Sequence, residues 1–350
     1  MLKAPSLMKS IFYVFVLLVL RKIAIALIAM NTVRIHSSEV SYEAMIMSKS
    51  FREVVGSLPD NQETLVLILN KHALNMTFNW LCNTKHFSVT LDSEATEEIR
   101  KHWSDIRILE WVVPGLADPF NYGDGFYQLF YLFRSNLARA LLSMNRTFWM
   151  IQQDTYWADN LLSMNLNSSS TDILFDRASE NGPLIAGGYY RARPTQPSLE
   201  YFNKLSNDIS WWYAPDNAYM TSLCQIGNLA ACGGLPFRLI TNWQWLDSSS
   251  TLPPPSLIQF DGETQLGGKL GKMRHLGFYF MEEDGRTCNP KSIETASNAL
   301  KTKVTPVSSY SRSQFKMYQN IVDSLYSNTI TAWLLNRWIL PYAHFCMLSL

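Results

Sequence analysis

The stretch from Thr147 to Asp159, TFWMIQQDTYWAD, places a carboxylate just beyond a short apolar run. Thr147 to Ile151 predicts a buried strand, and in an open α/β sheet ligands collect beyond the carboxyl ends of the strands. Asp154 therefore stands where a phosphate-bearing ligand or a hard cation would be held, because carboxylate oxygens are the ordinary ligands of manganese and magnesium. The competing reading is structural, with Asp154 starting a turn or capping the next helix. Hydrolase chemistry has no motif here: there is no Gly-x-Ser-x-Gly elbow, and the 6 histidines have no companion motif. The 5 cysteines, Cys82, Cys224, Cys232, Cys288 and Cys346, contain no Cys-x-x-Cys pair, so a zinc site is not indicated. Disulfides are their alternative use, and Cys224 and Cys232 are spaced to close a short loop.

The elements that must position Asp154 can be read around it. Thr64 to Leu69 is a continuous apolar run of the kind buried on both faces of a parallel sheet, with Ile106 to Val113 a second candidate and His86 to Thr90 a shorter third. Ser93 with Glu97 and Glu98 opens a helix between them, so strands and helices alternate as in βαβ units. Asp124 to Met144 carries Phe126, Phe130, Phe133, Leu137 and Leu141 on one helical face. Downstream, Pro183 to Arg193 predicts a strand, and Pro197 to Ile209 and Asp216 to Gln225 predict helices. Ser248 to Ser256, with its run of prolines, predicts a surface loop. After Lys291 the chain is expected to be a mobile segment, and Phe315 to Leu350 an apolar tail docked or lying in an interface, since Arg337 and Pro341 interrupt it.

Composition and charge bound the partners. At 350 residues with 47% hydrophobic content the chain builds a sizeable core, and a net charge of +1 supplies no electrostatic footprint for nucleic acid. Ile11 to Met30 has the length, about 20 residues, that a hydrocarbon core of roughly 30 Å requires. Arg21 and Lys22 interrupt it, each at about 2.5 to 3.5 kcal/mol if held at a helix centre. Lys3 and Lys9 before it favour a cytosolic amino terminus. A signal anchor is the preferred reading, with a cleaved signal peptide and a soluble chain with a wrong start as alternatives. The expected division is a cytosolic tail and signal anchor over 1–30, a stem over 31–62, an α/β domain over 63–290 and the final segment over 291–350. Asn-x-Ser/Thr sequons at Asn75, Asn145 and Asn167 fit lumenal exposure.

In order and spacing these pieces resemble the nucleotide-diphospho-sugar transferase family. An amphipathic helix, an apolar strand, a DxD-like element and an aromatic continuation follow one another through Asp154. Gly187-Gly-Tyr-Tyr-Arg-Ala-Arg-Pro-Thr195 is similar to the family's N-x-G-x-x-x-x-[RK]-x-T strand, Asp216-Asn217 takes the place of its Asp-Gln pair, and Lys269 to Cys288 looks like its basic, aromatic final segment. The resemblance implies a GT-A-like, Rossmann-like fold: a mixed, mostly parallel sheet flanked by helices. It implies a glycosyltransferase of the Golgi membrane, single-pass type II with a lumenal catalytic domain, moving a sugar from a nucleotide-sugar donor to a glycan or glycoprotein acceptor. Asp154 would hold Mn2+ or Mg2+ and the diphosphate, with Gln152 a weaker oxygen ligand in the first acidic position. Gly187 and Gly188 would let backbone approach the sugar, and Arg134 and Arg139 would reach the nucleotide. Lys269, Lys272 and His275 would neutralise the leaving group, and Asp216 with Asn217 would orient the donor sugar or act near the anomeric carbon. Trp211 and Trp212 are candidate acceptor platforms, whereas Trp149 and Trp157 read as core. Because Gln152, Ala186 and Asn217 depart from the family pattern, a catalytically inactive carbohydrate-binding or scaffold relative of the same fold is the alternative.

Overall fold

The computed structural model describes residues 4–334 apart from 61, 85–86, 122, 165, 167–169, 179–183, 243–253, 261–267, 303–320, 322–323 and 326–327. Helix α1 (Ala4–His36) leads into α2 (Tyr42–Met47) and α3 (Lys49–Gly56), each capped by a serine: Ser41 accepts from the Ala44 N–H and Ser48 from the Phe51 N–H. Then β1 (Thr64–Leu69), α4 (Leu74–Leu81), β2 (Phe87–Thr90), α5 (Ser93–His102) and β3 (Arg107–Glu110) alternate. A short α6 (Pro114–Ala117) precedes α7 (Gly125–Ser143) and β4 (Phe148–Ile151). There follow β5 (Thr155–Trp157), β6 (Ile173–Arg177), β7 (Ile185–Ala192), α8 (Gln196–Trp211) and α9 (Asp216–Ser222). The described chain continues through β8 (Cys232–Gly234), β9 (Ile240–Asn242), β10 (Leu257–Gln259), α10 (Gly268–His275) and α11 (Pro290–Thr302).

The main sheet runs in the order β3-β2-β1-β4-β7-β6-β8. Its β3-β2, β2-β1, β1-β4 and β6-β8 pairings are parallel, and β7 runs antiparallel between β4 and β6, so the sheet is mixed and mostly parallel. All residues of β1 are buried, as a strand covered on both faces demands. The chain moves outward from β1 through β2 to β3 and then returns to place β4 on the other side of β1. That reversal is a topological switch point, where a crevice opens beyond the strand ends. A smaller sheet of β5, β10 and β9 flanks it. Helix α7 begins where Asp124 accepts from the Tyr127 N–H at 2.7 Å and ends beside Asn145, which holds a left-handed φ of 58°.

Two expected boundaries need correction. Residues 31–62 are no stem: α1 runs past 30 without a break, and Val33, Val40, Met45, Phe51 and Val55 are buried in the same core as β1 and α7. The apolar positions of α2 and α3 recur every three or four residues, a pattern that a polar composition masks. Nor is 291–302 a mobile segment, because α11 buries Ala296 and Leu300 against Phe278 and Phe280. The proline loop is described only from Pro254, and Pro255 is buried; the apolar tail falls mostly outside the described residues. Disulfides join Cys82 to Cys288 and Cys224 to Cys232. The first ties α4 to the C-terminal part of the domain, where the Asn79 side chain also donates to the Phe278 carbonyl and accepts from the Phe280 N–H.

If residues 31–62 are structural, Phe51→Ala costs about 3 to 5 kcal/mol through loss of its buried ring and the cavity left behind. Denaturant unfolding checks this; a change below about 0.5 kcal/mol, the range of ordinary surface substitutions, would restore the stem reading.

Candidate active site

At the switch point the carboxyl ends of β1 and β4 open into a cleft of about 280 Å³ lined by Leu69, Asn70, Ile151, Gln152, Asp154 and Lys269, among others. Phe120, Tyr127, Phe130 and Arg134 form its helical wall. Asp154 is 3% exposed, so its carboxylate points into the cleft rather than to bulk water. A larger cavity, about 620 Å³, lies near Leu65 and Trp157, away from the switch point; its one carboxylate among the described residues is Asp159. Topology therefore favours the smaller cleft over the larger one.

Asp154 is held by its neighbours on both sides. Its carbonyl accepts from the Phe260 N–H at 2.7 Å, tying the end of β4 to β10, and its Oδ2 receives the Lys269 ammonium at 2.5 Å from the first turn of α10. Gln152, two residues earlier, accepts at Oε1 from the Gln259 side chain at 2.7 Å. The Tyr189 hydroxyl donates to the Gln152 carbonyl at 2.8 Å and is joined by Thr155 at 2.6 Å. These contacts fix the DxD-like segment from behind. Among the described residues the cleft lining offers one carboxylate, Asp154, bonded to the Lys269 ammonium, and the Gln152 side-chain oxygen accepts from Gln259. No cluster of three or more Asp, Glu, His or Cys stands ready for a metal among the described residues. The donor set thus does not fit the expected manganese or magnesium.

Arg134, in the cleft wall, is buried. Its guanidinium donates to Asp216 Oδ2 at 2.8 Å and to the Gly187 carbonyl at 2.8 Å. Burial pushes the Asp216 carboxyl above its ordinary range, and the guanidinium opposes that push. Asp216 and Asn217 accordingly do not line the cleft; they stand one layer back, and Asn217 packs on Gly187. Gly187 has φ 82°, and a β-carbon there would lie 2.7 Å from that of Asn217. A β-carbon on Gly188 would come 2.6 Å from Gln259 Nε2 and 3.0 Å from Gln152 Oε1. The paired glycines therefore make room for protein side chains, which corrects the expectation that they open directly toward a sugar.

The remaining candidates separate. Arg139 stacks over the Tyr42 ring at 3.8 Å, away from the cleft. Lys272 is fully buried and His275 is exposed, and neither lines the cleft, so only Lys269 of the basic trio does. Trp149 and Trp157 are core; Trp211 and Trp212 are exposed, with no place in the cleft lining. Asn75 and Asn145 are exposed, and Asn167 lies outside the described residues.

Asp176, next to the end of β6, went unnoticed in the sequence although a carboxylate following the apolar run Ile173 to Phe175 is itself a signal. It accepts backbone N–H bonds from Gly187, Gly188 and Tyr189 at 2.8, 3.1 and 2.8 Å. Burial pushes its pKa from 3.8 up to about 7, against the pull of those donors and of Arg134. Asn70 and Gln259 were also missed; Asn70 follows β1 as Gln152 follows β4, so the strand-end rule would have found it.

Between pH 3.8 and about 7 the folded chain keeps a proton on Asp176 that the unfolded chain has lost. Raising the pH through that window therefore destabilises the fold. A melting temperature that falls across it, with a shallower fall in Asp176→Asn, is expected; equal slopes would remove Asp176 as the cause. Breaking the buried pair with Asp216→Ala strands the guanidinium and costs about 3 to 5 kcal/mol in denaturant unfolding. A cost below about 1 kcal/mol, as for an exposed pair, would show that the pair is not the buttress described.

The sequence model of the nucleotide-diphospho-sugar transferase family matches residues 83–276, more than half of the 350. Solved structures with similar coordinates include the glycosyltransferase GlyE of Streptococcus pneumoniae (10% identity, 69% of this chain and 65% of that one, TM-score 0.44). Others are the WbbM bifunctional glycosyltransferase (11%, 59% and 47%, 0.40) and an active-site mutant of LgtC (10%, 71% and 98%, 0.41). The chain thus spans under two thirds of the length of GlyE and under half that of WbbM. No curated protein matches it. With the family model laid over β2 through α10, including the strand end at Asp154 and the ammonium of Lys269, the chain belongs to the nucleotide-diphospho-sugar transferase family.

Proposed function

We propose that the cleft binds a nucleotide sugar and that the chain transfers its glycosyl group to a hydroxyl of a glycan or glycoprotein in the lumen of the Golgi. One observation carries this reading: Asp154 and Lys269 meet at 2.5 Å at the switch-point end of β4, in the matched family region. In the transfer the bond from the anomeric carbon to the diphosphate oxygen breaks, the acceptor oxygen bonds to that carbon and loses its proton, and negative charge collects on the departing nucleoside diphosphate. An ammonium fixed in place ahead of the reaction stabilises that charge without reorganising. Asp154 holds the Lys269 chain in position, and Lys269 supplies the positive charge assigned at first to a divalent cation. Arg134 and Asp216 act as positioning residues through Gly187. The ring faces of Phe120, Tyr127 and Phe130 offer an apolar wall for the base or sugar.

The compartment follows from several supports. Helix α1 is, among the described residues, the one long and apolar enough to cross a membrane. Lys3 and Lys9 precede the apolar stretch, which suits a type II anchor. Both disulfides suit an oxidising lumen, and the sequon residues Asn75 and Asn145 are exposed there to glycosylation.

The full chain in detergent, given a panel of nucleotide sugars with manganese, magnesium or EDTA, is expected to release nucleoside diphosphate in all three conditions. Lys269→Ala is expected to lower kcat by about 10² to 10³-fold, the usual cost of removing one preorganised stabilising donor. Activity abolished by EDTA would return the charge to a metal ion. Binding of a donor without any release would favour the carbohydrate-binding relative.

A further inference from the structure

Trp211 is 84% exposed and Trp212 43%, the two together forming an aromatic corner at the end of α8. Their position relative to α1 gives that exposure a meaning. Tyr213, the next residue, is buried with Ala26 and Ala29 of α1, and Ile25 and Met30 pack beside them. Before these residues α1 presents bare apolar side chains to its surroundings, with Phe12 63%, Leu17 65% and Leu20 56% exposed. A span of about 20 residues from Ile11 ends near Met30, so Ala26 lies about one helical turn inside it. A residue of the folded domain that packs there has to sit at the lipid surface.

The attachment is stiff. Gly125, at the start of α7, lies so close to α1 that a β-carbon would come 2.6 Å from Thr32 Cβ and 3.1 Å from the Ala29 backbone. Gln128, one turn on, donates its side-chain amide to the carbonyls of Ile209 at 3.3 Å and Trp212 at 3.2 Å, clamping the end of α8 to α7. The three helix ends therefore form one corner from which the pair of indoles projects. Indole rings, apolar with one N–H, concentrate at the headgroup layer of bilayers, where both characters are satisfied.

We propose that Trp211 and Trp212 insert into the headgroup layer of the bilayer crossed by α1 and hold the catalytic domain against the lumenal lipid surface. This rests on α1 being a membrane anchor, as in the function proposed above. The partner is the lipid itself, chosen over a glycan because the corner is continuous with the apolar face of α1 and lies outside the cleft lining. One consequence concerns the substrate: Tyr127 of the cleft wall sits in the same first turn of α7, so the cleft is kept near the lipid surface.

Residues 1–60 contain no tryptophan, so indole fluorescence reports on the domain and tail rather than on the spanning helix. The full chain is reconstituted in nanodiscs of phosphatidylcholine brominated high on its acyl chains. Wild-type emission is expected to be quenched, and Trp211→Ser/Trp212→Ser to lose about half of that quenching while its melting temperature is unchanged. Equal quenching in the two proteins overturns the proposal. So does dimerisation that buries the indoles and disappears in the double variant, since the corner would then belong to a second copy. Carbonate extraction of wild-type vesicles separates the two failures: release of the chain refutes the anchor itself, whereas retention with equal quenching refutes only the tryptophan contact.

Discussion

A guanidinium taken out of water must have its charge answered and its N–H groups bonded, and Arg134 meets that requirement by drawing three elements together. Its side chain leaves α7, finds Asp216 at the start of α9 and the Gly187 carbonyl in β7, and lies 5.8 Å from the ring centroid of Tyr190. Such a pair contributes little net stability, because the desolvation of both charges offsets their attraction. Its effect is on position. With the guanidinium committed, the bend of β7 at Gly187 is set, and Gly188 comes to rest beside Gln152 and Gln259. The cleft wall depends on this node although, of its members, Arg134 alone lines the cleft.

The second layer of polar contacts connects that node to the strand end. Asp176 gathers the backbone N–H groups of Gly187, Gly188 and Tyr189, and the Tyr189 hydroxyl reaches the Gln152 carbonyl. Gln152 in turn bonds Gln259, and the backbone of Asp154 bonds that of Phe260, so the smaller sheet is latched to the larger one across the DxD-like segment. The Asp154 carboxylate holds the Lys269 ammonium at this edge of the cleft.

The amino-terminal helices bear on function through rigidity. Val33, Val40, Phe51 and Val55 seal one face of the core, and the Asn136 side chain donates to the Val40 carbonyl at 2.9 Å. A tethered catalytic domain on a flexible stem would sample many orientations. Here α1 passes without a break from its apolar stretch into the packed core.

Read alone, the sequence already determined the α/β class, the α7 helix, the β1 and β4 strands and the placement of Asp154 past a strand end. Each of these rests on local periodicity or on a rule about where ligands collect along one strand. It also contained Arg134 and Lys269 as candidates, without saying which of several basic residues would face the cleft. Tertiary structure decided that choice, because helical phase and packing put Arg139 on Tyr42 and leave His275 exposed. It decided that Val33, Val40, Met45, Phe51 and Val55 belong to the core, since their burial depends on contacts with β1 and α7 far along the chain. The role of Gln259 and the withdrawal of Asp216 behind Arg134 likewise arise from pairings across long sequence separations, which no local pattern of residues can encode.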